Sequence, residues 1–131
     1  MNFLLDTHVW LWSILEPARL NQATRTALTD PQHRFFLSPI SVWETILLIE
    51  KGRVLVFMEL PVWLDSVLWT SHIQEAPLTP AVALRSRMLQ LPHQDPADRF
   101  IAATALEYGF TLLTAEQHLL GADELTVWPA A

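Results

Sequence analysis

Five carboxylates sit where this chain can do chemistry, in the stretches "FLLDTHVWLW", "SPISVWETILLIEKGR", "LPHQDPADRFIAATA" and "LLTAEQHL". They are Asp6, Glu44, Asp95, Asp98 and Glu116. Carboxylates held close together repel one another unless they are protonated or a cation neutralises them. The chain has no cysteine, so a metal gathered by these groups meets oxygen donors, which suits Mg²⁺ or Mn²⁺. One or two such ions turn water into a nucleophile and clamp the oxygens of an in-line phosphodiester displacement.

Each acid also has a plainer explanation. Asp6 directly follows the apolar run Phe3-Leu4-Leu5 and fits equally a ligand at a strand exit or the cap of a helix beginning near His8. Glu44 shares a helix face with Ile40, Leu47 and Leu48. Its helix is apolar nearly all round and is expected to be buried or covered by a partner. A lone ionised carboxylate there is costly unless paired or bound to a cation. A capping box, Ser41-x-x-Glu44, is the alternative, but Ser38-Pro39 supplies a better helix start one turn earlier. Asp95-Pro96-x-Asp98 is by itself a nearly ideal helix opening. Glu116 lies at the start of another helix, where the dipole favours an acid.

What separates chemistry from capping is the set of elements that carry these residues. Short apolar runs at 3–5, 34–37, 73–78, 110–113 and 125–128 read as strands. Helices are expected at 8–15, 19–29, 39–51, 61–71, 80–89 and 96–108, with a short one opened by the capping box Thr114-x-x-Gln117. Buried strands alternating with helices predict an α/β fold, a parallel sheet covered on both faces. Such a sheet gathers Asp6, Asp98 and Glu116 on one edge and places Glu44 within two turns of another strand exit.

Composition narrows the class. The 131 residues, 51% hydrophobic and 17% charged, suit one domain spanning residues 1–131 with a real core. A net charge of −6 disfavours a generic nucleic-acid coat. The apolar N-terminus is interrupted at once by Asp6 and has no basic region before it, unlike a signal peptide. No apolar run approaches a membrane span. A soluble, cytoplasmic protein is expected.

Taken together, "LLDTHVWLW", "SPISVWETILLIEKGR", "LPHQDPADRFIAATA" and "TLLTAEQHL" resemble, in order and spacing, the four acidic motifs of PIN-domain ribonucleases of the VapC toxin type. The resemblance spans Asn2 to about Pro129. It implies a three-layer α/β/α sandwich and a Mg²⁺- or Mn²⁺-dependent endoribonuclease cutting RNA with metal-activated water. It also implies a cognate antitoxin and a homodimer, or a hetero-oligomer with that antitoxin. Carried over by position, Asp6, Glu44 and Asp98 match the metal-site acids, and Asp95 matches an additional acid that caps the helix or supports the site. The family's last motif usually reads Thr-Ala-Asp; here the acid is Glu116, which reaches a metal directly or through water. Thr7 matches the hydroxyl after the first acid, and Thr114 and Arg99 flank the last two motifs as supporting or capping residues.

Other residues read more simply. Arg99 fits a salt bridge or a substrate phosphate equally. His8, His93 and His118 are not spaced like a zinc motif. Trp10, Trp12 and Trp43 read first as core, with a groove for an amphipathic partner as the alternative, and Arg85 and Arg87 read as exposed cations. A receiver-like signalling domain would need a lysine after a late strand, whereas the single lysine, Lys51, ends a helix. A catalytically silent domain that only binds a partner is the remaining alternative.

Overall fold

The computed structural model describes residues 1–69, 72–92 and 94–131. Five parallel strands form its centre: β1 (Asn2–Leu5), β2 (Arg34–Leu37), β3 (Ile73–Glu75), β4 (Thr111–Thr114) and β5 (Val127–Pro129), in the order β3-β2-β1-β4-β5. β1 pairs with β2 on one side, Phe3 opposite Phe35, and with β4 on the other, Phe3 opposite Thr111.

Side-chain alternation makes the layers. Phe3 and Leu5 of β1, Phe35 and Leu37 of β2 and Leu113 of β4 share one core with Val9, Trp10 and Trp63. Leu4 and Leu112 point the other way, into a core with Val82, Ile101 and Ala102. The helices α1 (Thr7–Leu15) and α4 (Leu60–Trp69) therefore cover one face, and α5 (Pro80–Met88) and α6 (Pro96–Tyr108) the other. Helix α3 (Pro39–Glu50) straddles the edge, sending Val42 and Leu48 to the first core and Ile40 to the second. This is the expected α/β arrangement with a parallel sheet between helical layers.

Local chemistry sets the boundaries. Ser38 caps α3, its hydroxyl accepting from Ile40 N, with Pro39 at the first helical position. Gly109, at φ 69°, takes the left-handed conformation that ends α6, one that a Cβ would disfavour. The single helix expected over 19–29 is instead a 3₁₀ turn (Pro17–Arg19) and α2 (Gln22–Leu28), because the Asn21 side chain accepts from Thr24 N and restarts the helix. β3 stops at Glu75 rather than running to Leu78, since Pro77 has no N–H to offer the ladder. The expected end of α4 at Ser71 lies outside the described residues. Among the described residues, no helix is long and apolar enough to cross a membrane.

Candidate active site

Strand order reverses at β1: β2 and β3 are added on one side, β4 and β5 on the other. Ligands of open α/β sheets bind beyond the carboxyl ends of strands at such a switch. Asp6 occupies that point, the first residue after β1 and only 2% exposed. Its backbone N–H donates to Leu113 O across the β1–β4 boundary at 3.0 Å. Its Oδ1 accepts from Thr7 N at 2.8 Å and its Oδ2 from Thr114 Oγ1 at 2.7 Å. Asp6 is thus the N-cap of α1, and capping and site placement are not alternatives. Burial pushes its pKa up to about 7, with Asp98 and Glu116 adding repulsion, against the hydrogen bonds from Thr114 and Thr7 that pull it down.

Glu44 projects from the second turn of α3 and is half-buried. Burial raises its pKa, the Thr7 hydroxyl pulls it down, Asp98 and Asp95 raise it, and His8 lowers it. Asp98 therefore acts on both Asp6 and Glu44, with Glu116 acting on Asp6 and Asp95 on Glu44. Helix α6 carries Asp98 there: Asp95 is its N-cap, Oδ1 accepting from Asp98 N at 3.1 Å, and Pro96 follows. Asp95 itself is exposed, whereas Asp98 is half-buried.

The capping box expected at Thr114-x-x-Gln117 does not form. β4 runs through Thr114, and the helix α7 (Gln117–Leu120) has Glu116 at its N-cap position without a side-chain capping bond. Thr114 Oγ1 instead accepts from Glu116 N at 3.0 Å while donating to Asp6. The Ser41-x-x-Glu44 box is likewise absent, because Ser38 does the capping.

Arg99 is anchored to backbone. It is 5% exposed, and its guanidinium donates to Ser86 O at 2.8 Å and Leu89 O at 3.0 Å, carbonyls at the end of α5. Arg85 is engaged at the surface with Glu107 at 2.8 Å. The tryptophans separate: Trp10 is fully buried beside Trp63, Trp12 lies under the Arg19 guanidinium, and Trp43 is 51% exposed. Trp12 and Trp43 line a cleft of about 600 Å³ between α1 and α3, with Leu11, Leu15, Leu47 and Leu48, and Glu44 and Asp95 also line it. His8 lines that cleft too, and its influence on Glu44 was not apparent from spacing. His118 is exposed. His93 lies outside the described residues.

Sequence reasoning also missed Ser41 as anything but a cap. It is fully buried, and its Oγ is 2.9 Å from Thr7 Oγ1. The available signal was its place one turn before Glu44 on the same helix face. Among the described residues, no group of three or more His, Asp or Glu side chains is drawn together closely enough to hold a metal ion outright.

The family model described as PIN domain matches residues 3–125. The chain is 34% identical to Ribonuclease VapC22 of Mycobacterium tuberculosis (strain ATCC 25618 / H37Rv), over 95% of this chain and 97% of that protein. In structure it is similar to a chain of VapBC2 from Rickettsia felis, solved bound to a DNA fragment from the promoter, with a TM-score of 0.74, 16% identity and 100% of both chains covered. It also matches VapBC-5 from Mycobacterium tuberculosis, a member of the VapBC family of toxin-antitoxin systems, with a TM-score of 0.62, 15% identity and 98% of each chain covered. The chain belongs to the PIN-domain family and is of the VapC type.

Proposed function

We propose that this chain is a Mg²⁺- or Mn²⁺-dependent endoribonuclease, the toxin of a toxin–antitoxin pair, with residues 1–131 acting as one unit in the cytoplasm. The observation that carries this reading is Asp6, buried at the sheet's switch point with Thr7 on one carboxylate oxygen and Thr114 on the other, its pKa pushed up by burial and by Asp98 and Glu116. An all-oxygen donor set suits a hard dication.

Asp6, Glu44 and Asp98 would hold the ion. When bound, it supplies positive charge against the phosphodiester and Lewis acidity at neutral pH. Thr114 and Thr7 fix the two oxygens of Asp6. Glu116, whose charge bears on Asp6, would accept a hydrogen bond from the incoming water. Asp95 caps α6 and keeps Asp98 pointed inward. Arg99 joins α6 to the end of α5 and so steadies the same helix start.

The cleft between α1 and α3, with an apolar floor of Trp12, Trp43 and Leu47 and charged Arg19, Lys51 and Arg53 also in its lining, seats the antitoxin, an amphipathic segment whose apolar side meets those three residues. Its open end at Glu44 and Asp95 favours a basic residue at the inner end of that segment. The resting assembly in this reading is a homodimer, or a hetero-oligomer once antitoxin is bound. Light scattering of the purified chain with and without antitoxin tests it.

The deciding experiment is cleavage of structured RNA by the purified chain, with Mg²⁺ or Mn²⁺ against chelator, beside Asp98→Asn. Metal-dependent cleavage lost in the variant is expected; metal-independent cleavage, or an unimpaired variant, overturns the mechanism. The spread of the acids also favours a second reading, a silent domain that only binds its partner, which wild type inert on every RNA would support.

A further inference from the structure

The cleft between α1 and α3 is polarised along its length. Both helices begin at the carboxyl edge of the sheet, where the Thr7 and Ser41 hydroxyls meet at 2.9 Å. Along α3 the lining reads Trp43 and Glu44, then Leu47 and Leu48, then Lys51. Glu44 and Lys51 stand two turns apart, roughly 10.5 Å along the axis. Gly52, at φ 72°, turns the chain there, and Arg53 N donates to Leu48 O at 2.9 Å, which brings Arg53 back to the same end. The other wall finishes in Arg19, beyond α1, with Glu16 3.7 Å from it. Glu44 and Asp95 thus mark one end of the cleft, and three of the chain's eight cations the other.

Local structure does not account for these cations. A lysine at a helix end suits the dipole, but Arg53 lies past the helix. Both are exposed, and no carboxylate among the described residues pairs with either. On a chain of net charge −6, such a cluster decides where a polyanion settles. Between the two ends lie aromatic faces: Trp43 is half exposed, and Trp12 lies 4.5 Å under the Arg19 guanidinium. Unpaired bases stack on such rings while flanking cations take the phosphates. A protein segment also suits the rings, but the cations favour a chain that carries a negative charge at every link.

We propose that this cleft is the track of the RNA strand beside the cleavage site, with an unpaired base on Trp43 and neighbouring phosphates on Lys51 and Arg53. It rests on the nuclease reading above and names the form of RNA taken, a single strand. An antitoxin seated in the same cleft then inhibits by standing in the substrate's path.

The test is fluorescence anisotropy of a short labelled single-stranded RNA of mixed sequence with the full chain, in Ca²⁺ and in chelator, over a range of salt. Melting temperatures accompany every variant. Lys51→Gln with Arg53→Gln is expected to weaken binding about 10-fold or more and to flatten the slope of log K against log salt by about 1.4, as two lost phosphate contacts do. Arg34→Gln with Arg87→Gln removes the same charge from exposed positions outside the cleft, and is expected to cost less than about twofold. Trp43→Ala is expected to weaken binding about 10-fold at unchanged slope, with Trp43→Phe within about threefold of wild type. The cation variants, being surface changes, carry the test if Trp43→Ala fails to fold. Equal losses in the two cation pairs, or an unchanged slope, leave Lys51 and Arg53 to a protein partner and overturn the proposal. So does a wild type that binds no RNA in either condition, or binds a duplex of the same sequence as tightly. Cation-dependent binding without cleavage in any metal sinks the nuclease reading alone. Metal-dependent cleavage indifferent to both cations sinks the track alone.

Discussion

Thr114 Oγ1 donates a 2.7 Å hydrogen bond to Asp6 Oδ2, tying the last residue of β4 to the first residue after β1. The bond joins positions 108 apart in the chain and offsets part of the cost of burying an acid. Removing one partner of a buried polar pair leaves the other unsatisfied. Thr114→Val is therefore expected to raise the Asp6 pKa further and weaken Mn²⁺ binding about 10-fold, while Thr114→Ser stays near wild type. Calorimetric titration measures both, and equal loss in the two variants would assign Thr114 a packing role instead.

Asp95 and Asp98 belong to one helix start but face different surroundings. Asp98→Asn is expected to lower cleavage by roughly 100-fold or more, beyond what outer partners contribute. Asp95→Asn remains a good cap and is expected to cost less than about 10-fold. Single-turnover rates on one RNA, compared at matched thermal stability, decide the order. A more damaging Asp95→Asn would mean that the pair has been assigned backwards.

The buried acid also predicts a pH dependence. Asp6 has a folded pKa of about 7 against an ordinary 3.8, so between those values the folded chain holds a proton that the unfolded chain has lost. Without metal, this contribution to stability is complete below about pH 4 and is lost as pH rises through about 7. Glu44, also raised, acts in the same direction. In chelator the melting temperature should therefore be lower at pH 8 than at pH 5, and Asp6→Asn should flatten the difference. Mn²⁺ takes the place of the proton, so its stabilisation should grow over the same interval. Identical pH curves for wild type and Asp6→Asn would contradict the assignment.

Arg99 supplies a fourth prediction. Lysine cannot present the planar fork that reaches the Ser86 and Leu89 carbonyls together. Hydrogen bonds from a charged donor contribute about 1.5–3 kcal/mol, so Arg99→Lys is expected to lower the melting temperature by roughly 5–10 °C. KM for RNA should stay within about twofold, because the side chain meets backbone rather than substrate. A raised KM with unchanged melting would return Arg99 to the phosphate.

The sequence revealed more of the frame than of the contacts. Strand and helix types followed from apolar runs, proline after a hydroxyl or acid, and glycine at helix ends. Ser38-Pro39 and Asp95-Pro96 predicted starts that the structure shows, because capping is local chemistry. The capping box read at Thr114 failed for the opposite reason: its hydroxyl is claimed by Asp6, a residue far away in the chain, in the supporting place that the motif match implied for it. Arg99 and Ser41 follow the same pattern. Neither the carbonyls at the end of α5 nor the Thr7 hydroxyl is adjacent to them in sequence, and only helix packing brings them into contact. Trp10, Trp12 and Trp43 looked alike in composition yet range from fully buried to half exposed, because helix rotation sets burial.

β1, near the start of the chain, lies in the middle of the sheet, and its partner β4 spans Thr111–Thr114. During translation Asp6 emerges early and waits for more than a hundred residues before the strand and hydroxyl that complete its surroundings exist. Glu116 follows only after that. A chain that stops before residue 111 therefore lacks β4, and with it the Thr114 hydroxyl that meets Asp6.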